Sequence, residues 1–283
     1  MTRSRIHPSA LVLTTTLALT LMGVGMAACK KNGGESKSPT GGPSRGSTEV
    51  ADKQQPTTPA LPPQDEPPAE LATIRAAWVN GDVATAMATA EAVLPTLEGD
   101  TKVRARVWVS SWLAMSHAIE FPQIGRPYAE DAVREATRLS DDGDAIAIAH
   151  YALGAVLVGE YHHADAQQTI EKGAAAGKAE AEVGKLILAE AMLNQAFDDE
   201  ERLVDKSKIE QARTIYGELA SASPDAVIKG RAQVGVAATS KFLGDKAKLC
   251  EMAKLAQQTY TGSSAAAYLT EVPELLAKEA SCK

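Results

Sequence analysis

An all-α fold is what residues 68–283 predict, and three observations predict it. Alanine is abundant there. Proline is almost confined to the junctions between apolar-periodic stretches. No sustained period-two alternation of apolar and polar residues marks a strand. All twelve aromatic residues lie after residue 66, so one folded unit is expected there, large enough for an extended core.

In chain order the pattern places helices in pairs near 68–79 and 83–96, 102–120 and 127–139, 144–158 and 162–175, 178–197 and 206–221, and 225–242 and 245–260. A last helix falls near 264–279. Gly81, Gly125, Gly159 and Gly244 punctuate the junctions within pairs. In the second pair, Trp108, Trp112, Met115 and Ile119 are spaced i, i+4, i+7 and i+11. That spacing describes a buried seam of one helix, with an exposed recognition strip as the alternative. Ser140-Asp141-Asp142-Gly143-Asp144 opens the third pair. It lacks the alternating carboxylates and distant glutamate of a calcium loop, so it reads as a helix-capping turn.

Glu160-Tyr161-His162-His163-Ala164-Asp165 forms the turn of the third pair and is the ligand-rich cluster of the sequence. Adjacent histidines on a helix diverge by about 100° and cannot readily share one ion. His162 and Asp165 could share a face, but two ligands make a weak site, and a solvated turn is the simpler reading. Asn194 to Asp205 inserts an acidic loop into the fourth pair. Its Asp198-Asp199-Glu200-Glu201 run is either a solvated surface or a dock for a basic partner. Pro273 should bend or split the last helix.

The pairs share a pattern of about 34 to 46 residues. Its clearest copy has Leu153-Gly154 and Leu157 on the first helix, then Ala166 and Ile170 on the second. Ala212, Tyr216, Leu219 and Pro224 form a second partial copy, and Gly81-Asp82-Val83 with Ala86, Ala90 and Val93 a weaker third. The spacing resembles the tetratricopeptide repeat in degenerate form, with His150 where that family often has tryptophan. The resemblance implies an α-solenoid of about five helical hairpins with a C-terminal capping helix. Small residues would let helices approach while larger ones fill the groove between them.

Upstream, Arg3 and Arg5 precede an uncharged run from Ala10 to Met26, and Met26-Ala27-Ala28-Cys29 follows. These are the parts of an export signal. The site resembles the lipobox of bacterial lipoproteins, with methionine where leucine is commoner. The resemblance implies cleavage after residue 28, a lipid on Cys29, and a membrane anchor supplied by that lipid. Lys30 and Lys31 follow, and with no aspartate at the second mature position the sorting rules of that family imply the outer membrane. Residues 29–67 are dense in Gly, Ser, Thr and Pro and read as a disordered linker. Some 37 flexible residues span roughly 35 Å root-mean-square.

Without residues 1–28 the chain holds 27 Lys and Arg against 36 Asp and Glu, a net of -9. An acidic domain repels phosphate backbones, so nucleic acid is disfavoured as a partner. Two cysteines remain besides Cys29, in a chain expected in an oxidising compartment. A Cys250–Cys282 bond would close a loop of about 30 residues, whereas the alternative leaves a buried thiol and a loose one. No serine–histidine–aspartate order, phosphate loop or paired carboxylate site stands out, so neither catalytic residues nor a cofactor nor a metal is assigned. These readings converge on a lipid-anchored, non-catalytic interaction scaffold in the cell envelope, facing the periplasm or cell surface. A groove in the array would take another envelope protein or peptide. Two rivals stand beside it: a binder of small ligands or peptidoglycan fragments, which needs an enclosed polar pocket, and a metal-assisted hydrolase, which needs a third ligand near His162 or His163.

Overall fold

The computed structural model describes residues 61–198 and 200–282. Cys29, the signal segment 1–28 and the linker up to residue 60 lie outside the described residues, as does Asp199. The described chain is all-helical. Its helices are α1 (Glu70–Asn80), α2 (Val83–Val93), α3 (Val103–His117), α4 (Pro122–Ala136), α5 (Gly143–Gly159), α6 (His163–Ala176), α7 (Ala181–Gln195), α8 (Lys206–Ala222), α9 (Ala226–Leu243), α10 (Lys246–Tyr260), α11 (Ala266–Leu269) and α12 (Glu271–Glu279).

Aspartate starts many of these helices. The side chains of Asp82, Asp142, Asp205, Asp225 and Asp245 accept backbone N–H groups from the first turns of α2, α5, α8, α9 and α10. Each satisfies donors that a helix leaves orphaned and places negative charge at the positive end of the dipole. Glycine ends α1 and α9. Gly81 and Gly244 adopt φ of 86° and 76°, and each donates its N–H to a carbonyl of the last turn (Trp78 and Lys241).

Two element boundaries differ from expectation. Helix α4 begins at Pro122 rather than near 127, because proline suits the first helical position, where no N–H is needed. Pro127 therefore lies inside α4. Gly125 is not a junction but a buried helical residue, where a Cβ would press on the Ala114 carbonyl and His117. The last helix is split at Thr270, with Pro273 in the first turn of its second part.

From α1 to α10 consecutive helices pack against one another, as the pairs α1–α2, α3–α4, α5–α6, α7–α8 and α9–α10 and also between pairs. The odd-numbered helices touch in series, α1 to α3 to α5 to α7 to α9, and α9 returns to touch α1. Their burial follows. Helices α3, α5, α7 and α9 bury side chains on opposite faces, whereas α2, α4, α6 and α8 bury a single stripe. The inner side of the helix row is thus filled with side chains instead of forming the open groove expected of a row of hairpins. Trp78 of α1 meets Trp112 of α3 there, ring centroids 5.4 Å apart.

One packing device recurs. Gly154 faces Ile170, Gly184 faces the Tyr151 ring, Gly230 faces Tyr260 and Gly235 faces Tyr216, each so close that a Cβ would collide. A glycine on one helix seats a large side chain of its neighbour, which brings the two helix axes together.

Cys250 of α10 is bonded to Cys282 beyond α12, with Cα atoms 5.5 Å apart. The bond ties the C-terminal end to the last helix pair. Replacing Cys282 by serine should lower the unfolding free energy by about 2–4 kcal/mol, read from urea unfolding of the oxidised parent and the variant. Equal midpoints would show that the bond restrains nothing.

Candidate functional site

Trp108, Trp112 and Met115 form a packing seam on α3, while Ile119 lies beyond its end at His117. Trp112 and Met115 are fully buried, Trp108 and Ile119 partly so. The 140–144 segment caps. Asp142 holds Ala145 N–H, and Asp144 accepts the N–H groups of Lys178 and Ala179. Those two backbone bonds hold the Asp144 carboxyl below its ordinary range. His162 is the residue before α6 and His163 its first residue. His163 lends its carbonyl to Gln195 Nε2. Among the described residues, no group of three or more His, Cys, Asp or Glu side chains is placed to hold a metal ion. In the acidic loop, Arg202 turns back onto Asp198 and Glu200, and Phe197 and Leu203 form an isolated antiparallel bridge.

A cleft of about 530 Å³ opens between the segment that follows α2 (residues 94–100), α3 and α4. Leu97, Val107 and Tyr128 give it apolar walls, and Ser110 of α3 lies in its lining. On the polar side Arg106 donates to the carbonyls of Leu97 and Gly99 and to Glu135, while Arg138 bridges Glu135 and Asp100. Burial pushes the Glu135 carboxyl up, but the hydrogen bond from Arg106 and the charges of Arg138 and Arg106 outweigh it and hold it below the ordinary value. Behind Tyr128 stacks His117, centroids 6.0 Å apart. Neither ring nitrogen of His117 makes a hydrogen bond. Burial lowers its pKa, opposed by Glu91 at 3.8 Å, so the ring stays neutral at neutral pH. An apolar wall with one polar side suits a small ligand that is part apolar and part charged.

The second polar assembly lies inside the helix row, and sequence reasoning did not find it. Arg231 of α9, buried, donates from Nη2 to the Trp78 carbonyl at 3.0 Å, and its guanidinium stands 5.1 Å from the centre of the Trp78 ring. Glu190 of α7 is 3% exposed. Burial pushes its carboxyl up to about 8, against the pull of Arg231. Burial likewise raises Tyr216 well above its ordinary value, with the Glu190 charge adding to it. At neutral pH Glu190 is therefore mostly a neutral acid beside a buried cation. A signal was present in the sequence: Glu190 interrupts the apolar run Leu186 to Leu193, and Arg231 lies between Gly230 and Ala232. A charge at a position that the helical period marks as inward is a buried charge.

Among the described residues no helix is long and apolar enough to cross a membrane. No family model matches the sequence, and comparison with curated proteins and with solved structures likewise finds no match.

Proposed function

We propose that this chain is a lipid-anchored, non-catalytic interaction protein of the bacterial cell envelope. Its folded part would be a degenerate tetratricopeptide-like array of five hairpins with a split C-terminal cap, hung on a linker from a lipid at Cys29. The observation that supports the repeat reading is the packing of consecutive helices as five adjacent pairs, with glycine seating a large side chain within the third and fifth pairs and between neighbouring pairs. The polar segments singled out in the sequence act as caps and turns. Since the inner side of the row is filled, the partner would meet outer helices or turn edges.

The anchor is tested by feeding cells a radiolabelled or alkynyl palmitate. Label should enter the parent chain and disappear in Cys29→Ser, with the variant released from the membrane fraction. Equal labelling of the two would overturn the anchored reading.

The cleft beside Tyr128 favours a second reading, a binder of small envelope ligands such as peptidoglycan fragments. Muropeptides added to the purified chain should then raise its melting temperature by mass action, and no rise at millimolar ligand would dismiss it.

A further inference from the structure

Among the described residues, the exposed large apolar side chains are Phe121, Ile124, Tyr161, Leu203, Val204 and Leu255. Five of these six lie on one edge, formed by the turns within the second, third and fourth helix pairs. The edge is continuous. Pro122 would touch a Cβ at Gly159, and Arg126 of α4 bonds Glu160. The α5–α6 turn is in turn joined to the next one, since His163 O accepts from Gln195 and Lys208 reaches Gln167.

Tyr161 stands out on this edge. It is 62% exposed and has φ of 65°. Its N–H bonds Val158 O, and the N–H of His162 bonds Leu157 O. The turns at Gly81 and Gly244 use the same pair of bonds. Where two other hairpins place glycine, this one holds a large aromatic side chain in a backbone region that L residues adopt at a cost. Its ring stands edge-on to that of His163, centroids 6.0 Å apart, and remains mostly exposed.

The surroundings are negative. The described residues of 120–130, 160–165 and 198–208 carry eight acidic side chains and four basic ones. Four of those acids are already paired, Glu160 and Glu130 with Arg126 and Asp198 and Glu200 with Arg202, and eight acids against four bases leave the edge a net charge of -4.

We propose that this turn edge, centred on Tyr161 with Phe121, Ile124, Leu203 and Val204, docks a basic, amphipathic segment of a partner protein. The apolar residues supply the contact and the acidic rim selects the charge. A second copy of this acidic chain or an anionic lipid surface would meet repulsion. The inference deepens the interaction reading above by naming its surface and the chemistry of its partner.

The test uses the full chain carrying Cys29→Ser, so that lipid plays no part, and a fluorescent 18-residue Lys/Leu amphipathic peptide as probe. A Glu/Leu peptide of equal apolarity serves as control. Anisotropy should show saturable binding of the Lys/Leu peptide, at least 10-fold weaker for the Glu/Leu peptide and at least 10-fold weaker in Tyr161→Gly and in the double variant Leu203→Ser/Val204→Ser. Tyr161→Gly should meanwhile raise the melting temperature by about 2–4 °C, so that lost binding is not lost fold. Equal binding of both peptides, or binding untouched in both variants, would overturn the proposal. So would a concentration-dependent dimer in sedimentation, or flotation with phosphatidylcholine vesicles, that Tyr161→Gly abolishes, because the occupant would then be a second copy or a bilayer. The palmitate experiment reports on the anchor alone, so failure at either point is attributable.

Discussion

Replacing Trp112 by alanine should lower the unfolding free energy by about 3–5 kcal/mol. The indole is fully buried, packed on Trp78 at 5.4 Å, on a helix that buries both faces. Its loss would open a cavity that neighbours held by α1 and α5 cannot readily fill, and the cavity adds to the lost transfer free energy. The same substitution separates the two meanings that the Trp108–Ile119 stripe has in the sequence. An exposed recognition strip would tolerate alanine within about 0.5 kcal/mol. Denaturant unfolding of parent and variant, followed by far-ultraviolet circular dichroism, gives the number. A shift below about 1 kcal/mol would contradict the filled interior.

Glu190→Gln should reshape the pH dependence of stability. The carboxyl has an ordinary value of 4.5 and is pushed up to about 8 by burial. Between those values the folded chain holds a proton that the unfolded chain releases. Stability from this group is therefore complete below pH 4.5, falls as pH rises, and is lost above about 8. A shift of that size corresponds to roughly 4–5 kcal/mol at about 1.4 kcal/mol per unit. Glutamine keeps the shape of the neutral acid and cannot ionise. The variant should match the parent near pH 4 and exceed it by several kcal/mol at pH 9. His117 works in the opposite sense: its lowered pKa contributes stability at high pH that fades as pH falls through 6.5. The difference between parent and variant cancels that contribution, since both keep His117. Parallel curves at all pH values would show that Glu190 is ionised in the fold, in close partnership with Arg231.

Helix type and order were legible because alanine-rich stretches with a 3.6-residue period, broken by glycine and proline, carry local information. The small-residue seats were legible in part: Gly154, Ala166 and Ile170 are spaced as a hairpin needs, and the structure brings Gly154 against Ile170. The start of α4 was misplaced because Gly125 and Pro127 look like a junction, whereas a tight approach to α3 and the pre-set φ of Pro122 decide the matter. The filled interior was not legible. It depends on α9 meeting α1 across 153 positions of sequence, through Arg231 and Trp78, and no local pattern encodes a contact that distant. Tyr161 read as an ordinary turn residue because Gly159 looks like the junction glycine of its pair, whereas Gly159 ends α5 and the left-handed residue is Tyr161.

The return of α9 to α1 has a consequence for how the domain comes apart. In an open row of repeats the terminal units fray first, and melting spreads inward one neighbour at a time. Here the first and last pairs shield each other, and the disulfide clamps the tail against the last of them. Amide exchange should accordingly find α1 and α9 opening together, in one cooperative step, instead of a gradient of protection running from the ends to the middle.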